Sequence, residues 1–188
     1  MSDIAVIYAS HYGFTETYAR WIAEEVAGDL LEARKVRPED LDRYGTVIYG
    51  GGLYAGGVNG IGLITKQFGR LRGKRLFLFT VGAADVTDPE NVASIRKSLR
   101  KVLTPPMLET ISIYHLRGGL NYSRMTLLHK SMMAMLRQSL LKKPENELGS
   151  DGRALLETYG QDVSFLDRAS IAPLVAEVMR PREDTLAE

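Results

Sequence analysis

The sequence has no cysteine among its 188 residues, so disulfide bonds, thiolate nucleophiles and cysteine-ligated metals are excluded. Its three histidines, His11, His115 and His129, match no histidine ligand spacing, and we expect no metal site. No Ser/His/Asp or paired-carboxylate motif is recognisable, which argues against hydrolysis. We assign no catalytic residue and interpret the histidines as ordinary loop, strand and helix residues.

Charge imbalance and long apolar runs are also missing. The chain has 24 basic and 23 acidic residues, which favours neither a nucleic-acid-binding protein nor an acidic electron carrier. No apolar run approaches the ~18 residues of a membrane-spanning helix, and the N-terminus enters a strand pattern without the features of a signal peptide. We therefore expect one soluble domain over residues 1–188, located in the cytoplasm.

What the chain does contain is an alternation of apolar runs with helical patterns. Runs rich in Val, Ile, Phe and Tyr predict five β-strands, over residues 4–8, 30–36, 46–52, 75–82 and 110–118. The spacing of apolar residues predicts helices over residues 15–27, 61–71, 89–103 and 164–179. Asp88 is the expected N-cap of the third helix, and Ser164 with Asp167 resembles a capping box for the fourth. This order predicts a doubly wound α/β fold with a parallel sheet.

A long segment, Gly118 to Val163, separates the last predicted strand from the last predicted helix. Such connections usually need about two to six residues, so we interpret this segment as an insertion. Its first half is helical in pattern, and its apolar residues cluster on one side: Leu128, Met132, Met135, Leu136 and Leu140. A Met-rich stripe is typical of core packing, and the alternative is a cap over a ligand.

The stretch "SHYGFTET", residues 10–17, follows the first strand and leads into the first helix. The N-terminus of a helix favours a bound anion. Hydroxyl donors are available from Ser10 and Thr15, and also from Tyr12 and Thr17. Gly13 permits a tight turn. The stretch lacks the lysine of a Walker A loop and the G-x-G-x-x-G of a dinucleotide fold. The alternatives are a phosphate-binding loop and a plain strand–helix turn.

Two further loops are expected at the same edge of the sheet. They are "GGGLYAGGVNG" (50–60), with one aromatic residue, Tyr54, and "TVGAADVTD" (80–88), with mostly small residues. Glycine-rich loops let a flat ligand approach the backbone, and an aromatic ring can stack on it. The glycines could instead be needed only for tight turns. Three such loops together favour a ligand site at the point in the sheet where the order of the strands reverses.

"YASHYGFTET" resembles the flavodoxin phosphate loop, roughly [ST]-x-[TY]-G-x-T, with Ser10, Tyr12, Gly13 and Thr15 on the matching positions. The resemblance implies a flavodoxin-like sheet of order 2-1-3-4-5 and non-covalent FMN. It implies a cofactor site formed by three groups of residues: Ser10, His11, Tyr12, Gly13, Phe14 and Thr15 at the phosphate; Gly52, Leu53, Tyr54 and Ala55 at the ring; and Gly82, Ala83, Ala84 and Asp85 beside it.

The insertion is similar to the corresponding segment of the menaquinone-dependent protoporphyrinogen oxidase family, at Gly119, Leu120, Tyr122 and the basic, Met-rich helix that follows. Three functions stay open. They are electron transfer to a redox partner protein, an FMN oxidoreductase that uses a quinone acceptor, and a flavin-free interaction module, which the three intact loops favour least. The second implies a small apolar substrate and contact with a membrane surface, aided by five basic residues: Arg124, Lys130, Arg137, Lys142 and Lys143.

Overall fold

The structure is a computed structural model that describes residues 2–54 and 57–181. Its strands, in chain order, are β1 (Ile4–Ala9), β2 (Asp29–Glu32), β3 (Thr46–Tyr54), β4 (Gly57–Val58), β5 (Arg75–Gly82), β6 (Ile111–Arg117), β7 (Gly119–Leu120) and β8 (Val163–Ser164). Its α-helices are α1 (Phe14–Glu25), α2 (Gly62–Lys66), α3 (Pro89–Leu99), α4 (Pro105–Thr110), α5 (Leu127–Leu141), α6 (Ser150–Glu157) and α7 (Ala172–Val178). Short 3₁₀ helices cover Ala33–Lys35, Pro38–Arg43, Tyr122–Arg124, Glu145–Glu147 and Arg168–Ile171.

The central sheet has the strand order β2-β1-β3-β5-β6, and every neighbouring pair in it is parallel. The predicted order 2-1-3-4-5 counts only these five strands, and it is confirmed. The short strand β4 pairs antiparallel with the end of β3 and lies off this path.

Both faces of the sheet are covered, as the apolar strand runs predict. In β1, Val6 packs on one side with Tyr18 and Ile22 of α1, while Ile7 packs on the other. Leu174 of α7 joins the first side. Because side chains alternate along a strand, each of the five parallel strands contributes to two hydrophobic clusters, one on each face of the sheet.

The insertion begins and ends on paired strands. Leu120 of β7 lies opposite Val163 of β8 in an antiparallel ladder, so the two ends of the segment are held together. Between them, α5 packs against α6, where a Cβ on Gly152 would lie 3.3 Å from Leu140. Over the described residues, neither hydrophobic cluster of the sheet includes a side chain between positions 121 and 162.

The predicted glycine-rich loop at 50–60 is partly wrong, because β3 continues through Tyr54. A Cβ on Gly50 would lie 2.0 Å from Cζ of the buried Phe79 ring, and one on Gly51 would lie 2.2 Å from Val58. These glycines therefore keep a strand clear for close packing rather than forming a turn.

Three helix predictions also need correction. Ser164 does not begin the last helix, because it lies in β8 and pairs with Gly119 of β7. The helical turn starts after Asp167, whose side chain accepts a 2.9 Å hydrogen bond from the Ala169 amide. The helix predicted at 61–71 ends at Lys66, before two glycines that disfavour helix, and the one predicted at 89–103 ends at Leu99. The predicted N-cap Asp88 is confirmed, because its Oδ1 atom accepts a 2.9 Å hydrogen bond from the Glu90 amide.

Candidate functional site

The loop between β1 and α1 forms a tight turn at the carboxyl edge of the sheet. Gly13 has φ 93°, a left-handed conformation that favours glycine. Its amide donates to Oγ of Ser10 at 3.0 Å, and its carbonyl accepts from Oγ1 of Thr17 at 3.1 Å. The Thr17 hydroxyl therefore serves the helix backbone, whereas Thr15 lies beside Gly52, whose Cβ would be 3.4 Å from the Thr15 hydroxyl.

A cavity of about 350 Å³ lies at this edge, within the usual range for small-ligand sites. Of the predicted cofactor residues, those that line it are Ser10, His11, Tyr12, Phe14, Thr15, Gly52, Leu53, Tyr54, Gly82 and Ala83. Gly13 shapes the turn behind them. Ala84 and Asp85 are not among the described lining residues, and Ala55 lies outside the described residues.

Asp85 instead holds its own loop together. Its carboxylate accepts hydrogen bonds from the Thr87 amide and hydroxyl at 2.9 and 2.7 Å and pairs with Arg117 at 2.9 Å. The Thr87 hydrogen bonds, with the nearby guanidinium, hold the pKa of the Asp85 carboxyl below its usual range. Arg117 also donates to the Ala83 carbonyl at 3.3 Å, so this pair fixes the loop whose earlier residues line the cavity.

The insertion supplies most of the remaining cavity wall, and Val81 of β5 completes the described lining. The lining residues from β7 onward are Gly119, Leu120, Asn121, Met125, His129, Met132, Met133, Leu136 and Leu155. The Met-rich stripe was the available signal, and Met132 and Leu136 do face the cavity. Met135 of the same predicted stripe is 65% exposed, so the helix has apolar residues on two sides.

His129 links the insertion to two of the ligand loops. Its Nδ1 atom contacts the hydroxyl of Tyr12, and its ring centroid lies 4.5 Å from that of Tyr54. The Tyr54 hydroxyl donates to Sδ of Met132 at 3.0 Å, and the His11 ring lies 5.9 Å from His129. Burial, chiefly, raises the pKa of Tyr12, so its hydroxyl is neutral and can donate at pH 7.

The cavity is apolar and carries no fixed charge. The described lining residues include no Lys, Arg, Asp or Glu, and their titratable side chains are His11, Tyr12, Tyr54 and His129. The third histidine, His115, belongs to β6, where Nδ1 lies 2.7 Å from the Thr80 hydroxyl. Burial, with a smaller effect of Arg96, lowers the pKa of His115 to about 4, so this imidazole is neutral at pH 7.

Residues 2–54 and 57–181 contain neither a metal-binding cluster nor a membrane-spanning helix. No group of three or more His, Cys, Asp or Glu side chains could hold a metal ion. No helix in this part of the chain is both long and apolar enough to cross a membrane.

A family model described as a flavodoxin domain matches residues 5–147. The chain belongs to the flavodoxin domain family. FMN is the cofactor of this family, and the membership supports the fold and the cofactor that the sequence predicts. The finer resemblance to the protoporphyrinogen oxidase group stays a prediction, and so do the individual site residues.

Three solved structures similar to this flavodoxin-domain chain are distant in sequence. Flavodoxin 2 from Bacillus cereus is 22% identical, with 61% of this chain and 84% of that chain covered and a TM-score of 0.41. Flavodoxin 1 from the same organism is 17% identical, with 61% and 83% covered and a TM-score of 0.40. A Fusobacterium nucleatum flavodoxin variant bound to flavin mononucleotide is 14% identical, with 63% and 69% covered and a TM-score of 0.40. No curated protein sequence matches the chain.

The residues present fit FMN. The hydroxyls of Ser10, Tyr12 and Thr15 and the N-terminus of α1 are suited to a phosphate, and no carboxylate among the described lining residues would repel it. At Gly82 a Cβ would come within 3.0 Å of the Leu53 side chain, so glycine lets these two lining residues of the cavity pack closely.

Proposed function

We propose that this flavodoxin-domain protein holds FMN in the cavity and passes electrons from it to a small, flat, apolar acceptor of the quinone class. The observation that carries the proposal is the apolar wall from the insertion, formed by Met125, Met132, Met133, Leu136 and Leu155. An apolar wall with few polar groups suits a flat apolar ligand. It also excludes water from the space that the ligand would share with the flavin.

The chain's own residues would bind and orient the cofactor and shield it from water. Bound FMN supplies the redox chemistry, which transfers electrons singly or as hydride. Ser10, Tyr12 and Thr15 would hold the phosphate, while Tyr54 and the backbone near Gly82 would contact the ring. The Met side chains of α5 adapt to irregular shapes, which suits a wall that meets different flat ligands.

Direct electron transfer to a redox partner protein is the second candidate. It is favoured by Tyr54, which is 36% exposed at the rim of the cavity and so leaves a path from the site to the surface. A protein partner would dock over this rim and need not enter the cavity.

The outer side of α5 suits an anionic membrane surface, where long-chain quinones dissolve. Leu127 and Leu128 are 84% and 67% exposed, and Met135, further along the same helix, is exposed as well. Residues 124–143 include five basic side chains and no acidic one, in a chain whose net charge is only +1. Exposed apolar residues flanked by cations are the pattern of a helix that lies in the lipid interface.

Binding to vesicles tests this contact. The protein is expected to cosediment with phosphatidylglycerol vesicles and not with phosphatidylcholine vesicles. The double variant Leu127→Ser/Leu128→Ser should bind at least about 10-fold more weakly, because burial of each leucine contributes about 1.5–3 kcal/mol. Met179→Ser is the matched control, since Met179 is 58% exposed on the far end of α7. Equal binding by both variants would exclude α5 as the docking surface.

Cofactor identity tests the proposed function itself. The protein, reconstituted with a mixture of FMN and FAD, is expected to retain FMN, because the chain has one phosphate loop and no second nucleotide motif. Mass spectrometry of the heat-released chromophore identifies it. Release of FAD, or of no flavin, would contradict the proposal.

A further inference from the structure

The wall that the insertion adds to the cavity is apolar except at two positions. Of its described lining residues, only Asn121 and His129 have polar side chains, and the others are glycine, methionine or leucine. A few fixed polar groups in an apolar pocket determine how a ligand is oriented. The orientation of a ligand against this wall therefore depends on these two residues.

One of the two, His129, is already engaged with the ligand loops. Its Nδ1 atom contacts the Tyr12 hydroxyl, and its ring lies beside the ring of Tyr54. These contacts tie His129 to the phosphate loop and to the end of β3. Asn121 is the other polar group of the wall, on the segment that follows β7.

Asn121 is fixed in place with one half of its side-chain amide free. It directly follows β7, whose Leu120 pairs with Val163 of β8. Its Oδ1 atom accepts a 3.0 Å hydrogen bond from the Ser123 hydroxyl, and the Ser123 amide donates to Oδ1 of Asp162 at 2.9 Å. Within the part of the chain that the structure describes, the Nδ2 atom of Asn121 has no acceptor. This half-buried side chain therefore offers an unused donor in a fixed position beside the cavity that the residue lines.

We propose that Asn121 orients the quinone acceptor by donating a hydrogen bond from Nδ2 to one of its carbonyl oxygens. This inference depends on the proposed function, and it names the contact that distinguishes a quinone from another flat apolar molecule. The residues expected at the FMN ring lie at the ends of β3 and β5, so the wall from the insertion is the side on which an acceptor would stack against the ring.

The reaction makes this donor more important than binding alone does. A quinone becomes a hydroquinone by taking up two electrons and two protons from reduced FMN, which returns to its oxidised form. Negative charge develops on the carbonyl oxygens where electrons arrive ahead of protons, and a positioned donor stabilises that charge. Because a hydrogen bond to a charged oxygen is stronger than one to a neutral oxygen, Asn121 should affect the rate more than the affinity.

The experiment uses the intact, FMN-loaded protein and two probes with the same ring system, menadione, a methyl-substituted naphthoquinone, and methylnaphthalene, which has no carbonyl oxygen. Asn121→Leu removes the donor at nearly constant volume. Menadione affinity for the oxidised protein should fall about 2- to 12-fold, and methylnaphthalene affinity should not change. The rate constant for oxidation of the reduced protein at saturating menadione should fall further, by about 10- to 150-fold. FMN affinity should stay at the wild-type value.

Two further variants separate the hydrogen bond from a change in packing. Ser123→Ala removes the hydroxyl that holds Oδ1 of Asn121, and Ser123 is not among the described lining residues of the cavity. It should cause a smaller loss of menadione affinity than Asn121→Leu. Asn146→Leu is the matched control, because Asn146 is exposed on the same insertion and is likewise absent from the described lining. It should behave as wild type.

Three results for Asn121→Leu would overturn its role. They are unchanged binding and reduction of menadione, equal losses for menadione and methylnaphthalene, and a loss of FMN affinity in place of menadione affinity. If this variant does not fold, an unchanged menadione affinity in Ser123→Ala overturns the role instead. Wild type that binds FMN but not menadione would contradict the quinone acceptor of the proposed function as well.

Discussion

Replacement of residues 121–162 by a short Gly/Ser connection is expected to give a folded protein that binds FMN at least about 10-fold more weakly. The fold should survive because the Leu120–Val163 pair remains and neither described hydrophobic cluster of the sheet uses the removed segment. The affinity should fall because the Met-rich wall of the cavity is lost, and burial of one large apolar side chain contributes about 1.5–3 kcal/mol.

A matched control replaces only the exposed turn Glu145–Glu147 with Gly-Ser-Gly, which leaves α5, α6 and the cavity wall intact. This variant should keep the wild-type FMN affinity. Circular dichroism reports the fold of both variants, and flavin fluorescence quenching reports their affinity. If the large replacement does not fold, the insertion is part of the core. If it folds and binds FMN as tightly as wild type, the insertion is not part of the cofactor site.

Thr15→Val is expected to weaken FMN binding by about 10- to 150-fold, the effect of losing one hydrogen bond to a charged group. Thr15 is 3% exposed and lines the cavity, and valine keeps nearly its shape, so the change removes a hydroxyl with little effect on packing. Riboflavin affinity should change little, because the lost donor serves the phosphate. Isothermal titration with both flavins measures the two effects.

Thr17→Val is the control for this substitution. Thr17 is two residues away on the same helix, but its hydroxyl donates to the Gly13 carbonyl. Its removal should leave FMN affinity within about twofold of wild type. Equal losses in both variants would mean that the α1 N-terminus, rather than the Thr15 hydroxyl, is the sensitive element.

The sheet and its ligand edge could be predicted because their signals are local. The strands at 4–8, 46–52 and 75–82 are continuous apolar runs, and β1, β3 and β5 match them closely. Parallel strands place their carboxyl ends together, so the approach of Ser10, Gly52 and Gly82 follows from the strand order.

The closed wall of the cavity could not be predicted, because it depends on long-range packing. The apolar stripe of α5 is compatible with a core helix, a lid and a surface helix, and nothing in its spacing places His129 against Tyr12, 117 positions away. Ser164 was misassigned for the same reason, since its pairing with Gly119 overrides a local capping pattern. The glycines of β3 predict a loop from the sequence alone, because the Phe79 ring that excludes a side chain at Gly50 is distant in sequence.

The most direct test of the account is the rate at which the reduced, FMN-loaded protein is reoxidised by a water-soluble naphthoquinone in stopped-flow absorbance. If the insertion forms a chamber for a flat apolar acceptor, the rate of wild type saturates as the quinone concentration rises. The variant that lacks residues 121–162 then reacts in proportion to concentration, without saturation. A linear dependence in wild type, or the same saturation in both proteins, would contradict the claim that the insertion makes the acceptor site.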